Sequence, residues 1–394
     1  MGCNAQVTRR DAVKTAATVV GTTLAAPLIN LNRFRLFGRS QQEYSARCVD
    51  LVRDNLVVDM LFPFTLSDET RDRWGPGLDG LTAADHDEFK ASEIDVCHIA
   101  VGIGGRSSEE AYANALRFVG GYNAMIANRP NILTRIDSAE DLAQAHGSGQ
   151  VGVLIGIQNS SHFRMPDDVN AFHALGQRVS QLTYNSRNLI GNGSTERIDG
   201  GISDFGVSIV ERMNEVGMAV DVSHCGDQTT LDAFEVSSRP VLITHSNARA
   251  LCPEHPRCKT DAAIEAMAKS GGVMGITGVR MFVKNDEPTT IEDYLNHFDH
   301  VRDLVGIEHL GVGSDIDLHG YDDMPEEQNQ RLRAGYKGSY GFREKIDIEG
   351  IDHPKRTFDL AEGLIRRGYT NEHIKLVLGE NFRRVLSDIW APQS

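Results

Sequence analysis

Residues 219–257 read AVDVSHCGDQTTLDAFEVSSRPVLITHSNARALCPEHPR, and one phrase occurs in them twice. An apolar run, AVDVS, ends in His224. A second, PVLIT, ends in His245. One helix-length segment lies between them. Continuous apolar runs of this length suit strands buried on both faces, as in a parallel sheet. A helical crossover returns the chain to the same edge. The two histidines therefore belong side by side at one rim, as a metal or catalytic pair.

Working outward, similar apolar runs stand at 56–60, 96–101, 152–157, 179–184, 272–277 and 310–315. With the two above, that makes eight strands. Helical spacing fills 40–54, 108–127, 137–146, 166–176, 205–217, 260–270 and 290–305, and two further helices close the chain at 357–368 and 371–388. In 205–217, Phe205, Ile209, Met213 and Val216 form a stripe on one face behind a cap at Asp204. Residues 62–87 are rich in Gly, Pro, Asp and Trp and read as an irregular loop. Eight strands with mostly helical connections predict an α/β fold, a single (β/α)8 TIM-type barrel over 40–390 with C-terminal helices. A doubly wound open sheet is the alternative. No composition shift divides the chain.

In such a barrel the active site lies at the C-terminal ends of the strands. The residues there are Asp59, His98, Gln158, Tyr184, Asn185, His224, His245 and Asp315. Imidazole suits zinc, and a nearby carboxylate serves as ligand or as base toward water. His224, His245 and Asp315 thus form a candidate one-metal constellation. His98 reads as internal packing. Arg257, in a Pro-rich loop, is either a bidentate clamp for a substrate carboxylate or a surface arginine. Asp317 is either a supporting carboxylate or a loop acid, and Asp221 should point into the packing. Cys252, His255 and Cys258 allow a metal knuckle or a disulfide, but unpaired loop thiols are the expectation.

The chain has 394 residues and a formal charge of −15, from 55 acidic against 40 basic residues. Such a surface is repelled by nucleic acid and anionic membranes, so a small-molecule or peptide partner is expected. Six cysteines are few for this length and imply no disulfide framework. Near the N-terminus, Thr8-Arg9-Arg10-Asp11 with Lys14, followed by a mildly apolar run over 15–29, resembles a twin-arginine export signal. It predicts a signal over residues 1–30 and a mature protein exported to the periplasm or beyond the cell. No other apolar run approaches the ~20 residues that span a bilayer.

The segment FGVSIVERMNEVGMAVDVSHCGDQTTLDAFEVSSRPVLITHSNARALCPEHPRCKTD resembles the renal (membrane) dipeptidase family of the metal-dependent amidohydrolase superfamily. GGVMGIT, GVGSD and GENFRRVL are similar to that family's counterparts. The resemblance covers most of residues 45–388. It implies a barrel zinc peptidase that cleaves dipeptides, with two metals activating a bridging water and with homodimers possible. His224 and His245 would be ligands of one metal. Arg257 would bind the substrate carboxylate. Asp315 would accept the proton of the attacking water and return it to the leaving amine.

Four positions depart from the family pattern. Its first-strand ligands, a His and an Asp, are Leu61 and Pro63 here. Its bridging carboxylate is Gln158, which has no charge to hold two cations together. Its histidine after strand four is Tyr184. One metal site is therefore dismantled. The expected function is a dipeptidase-like hydrolase with one zinc per chain, cleaving a dipeptide or related small amide. Gln158 would be a weak neutral ligand, and Tyr184 would take an oxyanion role. Two alternatives remain: an amidohydrolase acting on a lactone or cyclic amide, and a non-catalytic descendant that binds a peptide.

Overall fold

The computed structural model describes residues 33–37, 42–64 and 81–392. The export-signal segment and most of the loop expected at 62–87 lie outside these residues.

Eight parallel strands form the core: β1 (Val58–Asp59), β2 (Val96–Ile99), β3 (Val151–Ile157), β4 (Gln177–Gln181), β5 (Ala219–Asp221), β6 (Ile243–Ser246), β7 (Met274–Ile276) and β8 (Leu310–Val312). Strands β1 to β5 pair in sequence order, as do β6 to β8. Two seams join these arcs. At one, Val222 N donates to Leu242 O at 3.0 Å and Leu242 N to Val220 O at 2.8 Å. At the other, Met60 N donates to Val312 O at 2.9 Å and Asp315 N to Leu61 O at 2.8 Å. The sheet closes on itself, and the fold is the expected (β/α)8 barrel.

The second seam carries a buried clasp. Asp59 Oδ1 accepts from Ser314 N at 2.8 Å, and Oδ2 accepts from Ser314 Oγ at 2.5 Å. Arg356, at the start of helix Arg356–Arg366, reaches the same Oδ2 at 3.3 Å. Both partners are almost fully buried. Removing one would leave an uncompensated charge, at a cost of about 3–5 kcal/mol. Asp59 is thus a closure residue rather than part of the mouth chemistry.

The helices follow local rules. In Asp204–Val216 the Ser203 side chain caps Gly206 N, and Gly217 ends the helix at φ 78°, a left-handed conformation that favours glycine. Its buried face is Gly206, Ile209, Val210 and Met213. That face is rotated from the expected stripe, leaving Phe205 and Val216 at its margins. Burying Ile209 and Met213 contributes about 1.5–3 kcal/mol each before ordering entropy.

Three local readings are corrected. Only the last residues of the loop expected at 62–87 differ: they belong to helix Ala83–Ser92, begun by a Thr82–Asp85 capping box. A short extra strand, Leu133–Arg135, pairs with the first half of β3, while β4 takes the second half. The helix expected at 371–388 passes through a π-helical turn, Leu376–Glu380. Among the described residues no helix is long and apolar enough to cross a membrane.

Candidate active site

Strands β5 and β6 end as the repeated phrase predicts, at one rim. His224 and His245 are fully buried, and their Nε2 atoms stand 2.9 Å apart. Each ring is oriented from behind. His224 Nδ1 meets Asn185 Oδ1 at 2.8 Å, and His245 Nδ1 meets Thr244 Oγ1 at 2.9 Å. Thr244 Oγ1 donates to Asp221 Oδ2 at 2.8 Å, so it is free to accept the His245 Nδ1 proton. Asp221 Oδ1 also accepts from Ser223 N, Ser223 Oγ and Thr244 N. This is the partner set of the strand-five aspartate: it knits the two histidine-bearing turns together.

With both Nδ1 atoms donating, both Nε2 lone pairs face each other. Such an arrangement is repulsive unless a cation or a shared proton lies between them. Burial, and next the Arg257 guanidinium, push the imidazole pKa of both rings well below the ordinary range. A shared proton is therefore disfavoured. Two zinc-bound nitrogens at ~2.0 Å in a tetrahedron stand roughly 3.3 Å apart, close to the spacing here. A catalytic zinc usually has three protein ligands and an open position. Among the described residues no group of three or more His, Cys, Asp or Glu side chains converges. The pair fits two places of such a set, and Asp315 does not complete it.

Arg257 is fully buried. Its Nη1 donates to Ser223 O and its Nη2 to His245 O at 3.2 Å. Its Nε has no partner, and its guanidinium lies 5.1 Å from the Phe282 ring centre. It does not line the cavity described next. It braces the backbone beside the two histidines from behind.

At the mouth lies a cavity of about 280 Å³. Gln158, Tyr184 and Asp315 line it, together with Tyr321, Tyr336 and Tyr340. Tyr184 stacks on His224, with ring centres 4.2 Å apart and planes within 19°, so it stands between the cavity and the histidine pair. Its hydroxyl bonds Tyr336 Oη at 2.8 Å. Gln158 Nε2 donates to Ala100 O at 2.8 Å. Asp315 holds φ at 59°, a strained conformation for a residue other than glycine. Burial raises its carboxyl pKa to about 7, opposed by Arg257 and by a Tyr321 hydrogen bond and reinforced by Asp59.

The remaining candidates are structural. His98 Nδ1 bonds Met60 O at 2.7 Å inside the barrel, while its Nε2 has no partner. Asp317 Oδ1 accepts from His319 N and Gly320 N in a local turn. Cys252 and Cys258 are free, buried thiols, and His255 Nε2 bonds Tyr340 O at 3.0 Å. The sequence reading missed Tyr321, Tyr336 and Tyr340. The signal was present, as aromatic residues recurring through the charged segment 321–342.

The chain belongs to the membrane dipeptidase family (peptidase family M19), whose model matches residues 42–333. Dipeptidase verJ of Clonostachys rogersoniana is 29% identical over 255 residues, 64% of this chain and 59% of that protein. Dipeptidase aclJ of Aspergillus oryzae (strain ATCC 42149 / RIB 40) is 28% identical over 272 residues, 67% of this chain and 58% of that protein. The chain spans under two thirds of the length of these curated relatives. Among solved structures, an amidohydrolase from Pseudomonas aeruginosa is similar at TM-score 0.74 and 28% identity, over 87% of this chain and 99% of that one. The metallopeptidase dipeptidase AC of family M19 shares the fold at TM-score 0.70 and 21% identity, over 85% of this chain and 99% of that one.

Proposed function

We propose that the chain is a dipeptidase-like hydrolase that cleaves a dipeptide or related small amide, with one zinc held by His224 and His245. One observation carries this reading. Two buried imidazoles are fixed with their Nε2 atoms converging, directly behind a cavity lined by an acid whose pKa is near neutrality. Zinc bound there supplies Lewis acidity and lowers the pKa of water.

The chain's own groups do the rest. Asp315 takes the proton of the attacking water and returns it to the leaving amine, a role suited to a pKa of about 7. Tyr184, held by Tyr336, offers its hydroxyl to the oxygen on which charge develops. Gln158 offers an uncharged amide at the same cavity. Arg257 holds the Ser223 and His245 turns and keeps both histidines neutral.

A non-catalytic, peptide-binding descendant is the second reading. It is favoured by the absence, among the described residues, of a third converging His, Cys, Asp or Glu. Zinc content and dipeptide hydrolysis, measured together on wild type and His224→Ala, decide between them. Bound zinc with turnover, both lost in the variant, is the expected result. Dipeptide binding without metal or turnover would overturn the hydrolase reading.

A further inference from the structure

The mouth cavity is walled on one side by residues that follow β8. Tyr336 and Tyr340 pack with ring centres 4.5 Å apart. Phe342 lies 5.2 Å from Tyr336, nearly edge-on, and 5.1 Å from Tyr340. Tyr184 and Tyr321 line the same space, and Met281 adds a polarisable thioether.

The phenol hydroxyls are turned to internal partners. Tyr184 and Tyr336 bond each other, while Tyr321 faces Asp315 and Tyr340 faces Arg257. Beside these hydroxyls and the Gln158 amide, the walls present ring and aliphatic surface. Among the described residues the lining holds no lysine, arginine or histidine, and Asp315 is its one carboxyl. An anionic group meets no cationic side chain there. An aliphatic methyl would leave most of the ring surface uncovered.

A further ring, by contrast, continues the edge-to-face and tilted contacts already present, with centres 4.5–7 Å apart as aromatic pairs prefer. The volume agrees. About 280 Å³ lies just below the usual range of ligand sites, so the occupant is small. We infer that this cavity is the side-chain pocket of the substrate, and that it selects dipeptide-sized amides carrying an aromatic side chain. The inference rests on the hydrolase reading only for taking the ligand to be a dipeptide.

The test compares Ala-Ala, Ala-Phe and Phe-Ala on the zinc-loaded full chain, by initial rates and by calorimetric binding. One of the two aromatic dipeptides is expected to exceed Ala-Ala by about tenfold or more in kcat/KM, within the range that one hydrophobic pocket can discriminate. In Phe342→Leu, which keeps apolar bulk, that ratio should fall to about threefold or less. The wild-type ratio decides even if the variant fails to fold. Turnover of all three dipeptides at similar kcat/KM would overturn the pocket and leave the hydrolase reading standing. Selective binding of an aromatic dipeptide without turnover would support the pocket and overturn the hydrolase reading. Neither binding nor turnover of any of the three would overturn both.

Discussion

His224 and His245 approach Nε2 to Nε2 at 2.9 Å, each ring fixed from behind by a neutral side-chain oxygen. Two buried lone pairs held this close repel each other, and the proposed zinc would relieve that repulsion. About one zinc per chain is therefore expected, from a ligand set that includes this pair. His224→Ala and His245→Ala should each abolish it, read by elemental analysis of the folded protein. Two zincs per chain would contradict the loss of the second site at Leu61, Pro63 and Gln158.

Asp315→Asn should lower kcat by about 10²–10⁴-fold, the usual contribution of a general base. The wild-type rate should rise with pH through about 7, because the base acts only when ionised. The Asn variant should lose that limb. A profile flat from pH 5 to 8 would remove Asp315 from proton transfer.

Arg257→Ala should act on the fold before it acts on substrate binding. The change leaves the Ser223 and His245 carbonyls without their guanidinium. Each unpaired buried group costs about 1–3 kcal/mol. A lower Tm and weakened metal retention are expected together. A raised KM at unchanged Tm would instead restore the carboxylate clamp expected from the sequence.

Asp347 sets a pH dependence of stability. Burial raises its carboxyl pKa from 3.8 to about 7, and its Oδ1 has no partner. Between those values the native state keeps a proton that the unfolded chain has released. Its contribution to stability therefore falls as pH rises from about 4 to about 7. Asp347→Asn should flatten that slope in urea titrations at a series of pH values. An unchanged slope would show that Asp347 does not titrate in this window.

Gly156 in β3 leaves room for His98. A Cβ there would lie 2.0 Å from His98 Nε2. Gly156→Ala should destabilise by about 1–3 kcal/mol through overpacking. His98→Ala in the same chain should return part of that loss, a coupling measurable by a double-mutant cycle.

Much of this architecture is visible in the residues. The runs ending at His224 and His245, and GVLIGI before Gln158, could be read because strands buried on both faces carry little but apolar side chains. The same reading overran several ends. β5 stops at Asp221: Val222 still bonds Leu242 O, but Ser223 turns back to hydrogen-bond the Asp221 side chain. The helix at Ala83 was hidden by a capping box of two ordinary polar residues inside a Gly-rich stretch. At the site, the histidines and Asp315 stood out by position. The tyrosine wall did not, because Tyr321, Tyr336 and Tyr340 stand in a charged segment without regular period and meet the distant Tyr184 only through packing over the mouth. Arg257 was legible as important, but its direction was not. A guanidinium bonded to two carbonyls leaves no periodic trace.

The clasp at Asp59 also sets an order of assembly. Its partners, Ser314 and Arg356, lie 255 and 297 residues downstream. On the ribosome, β1 emerges early, and its free edge waits about 13–51 s for β8 and Ser314 at 5–20 residues per second. Until then the nascent barrel is an open arc with an acid at its unsatisfied margin. A chain that stops short of helix Arg356–Arg366 would hold all the mouth chemistry and the seam's backbone bonds, and would bury Asp59 there without its guanidinium.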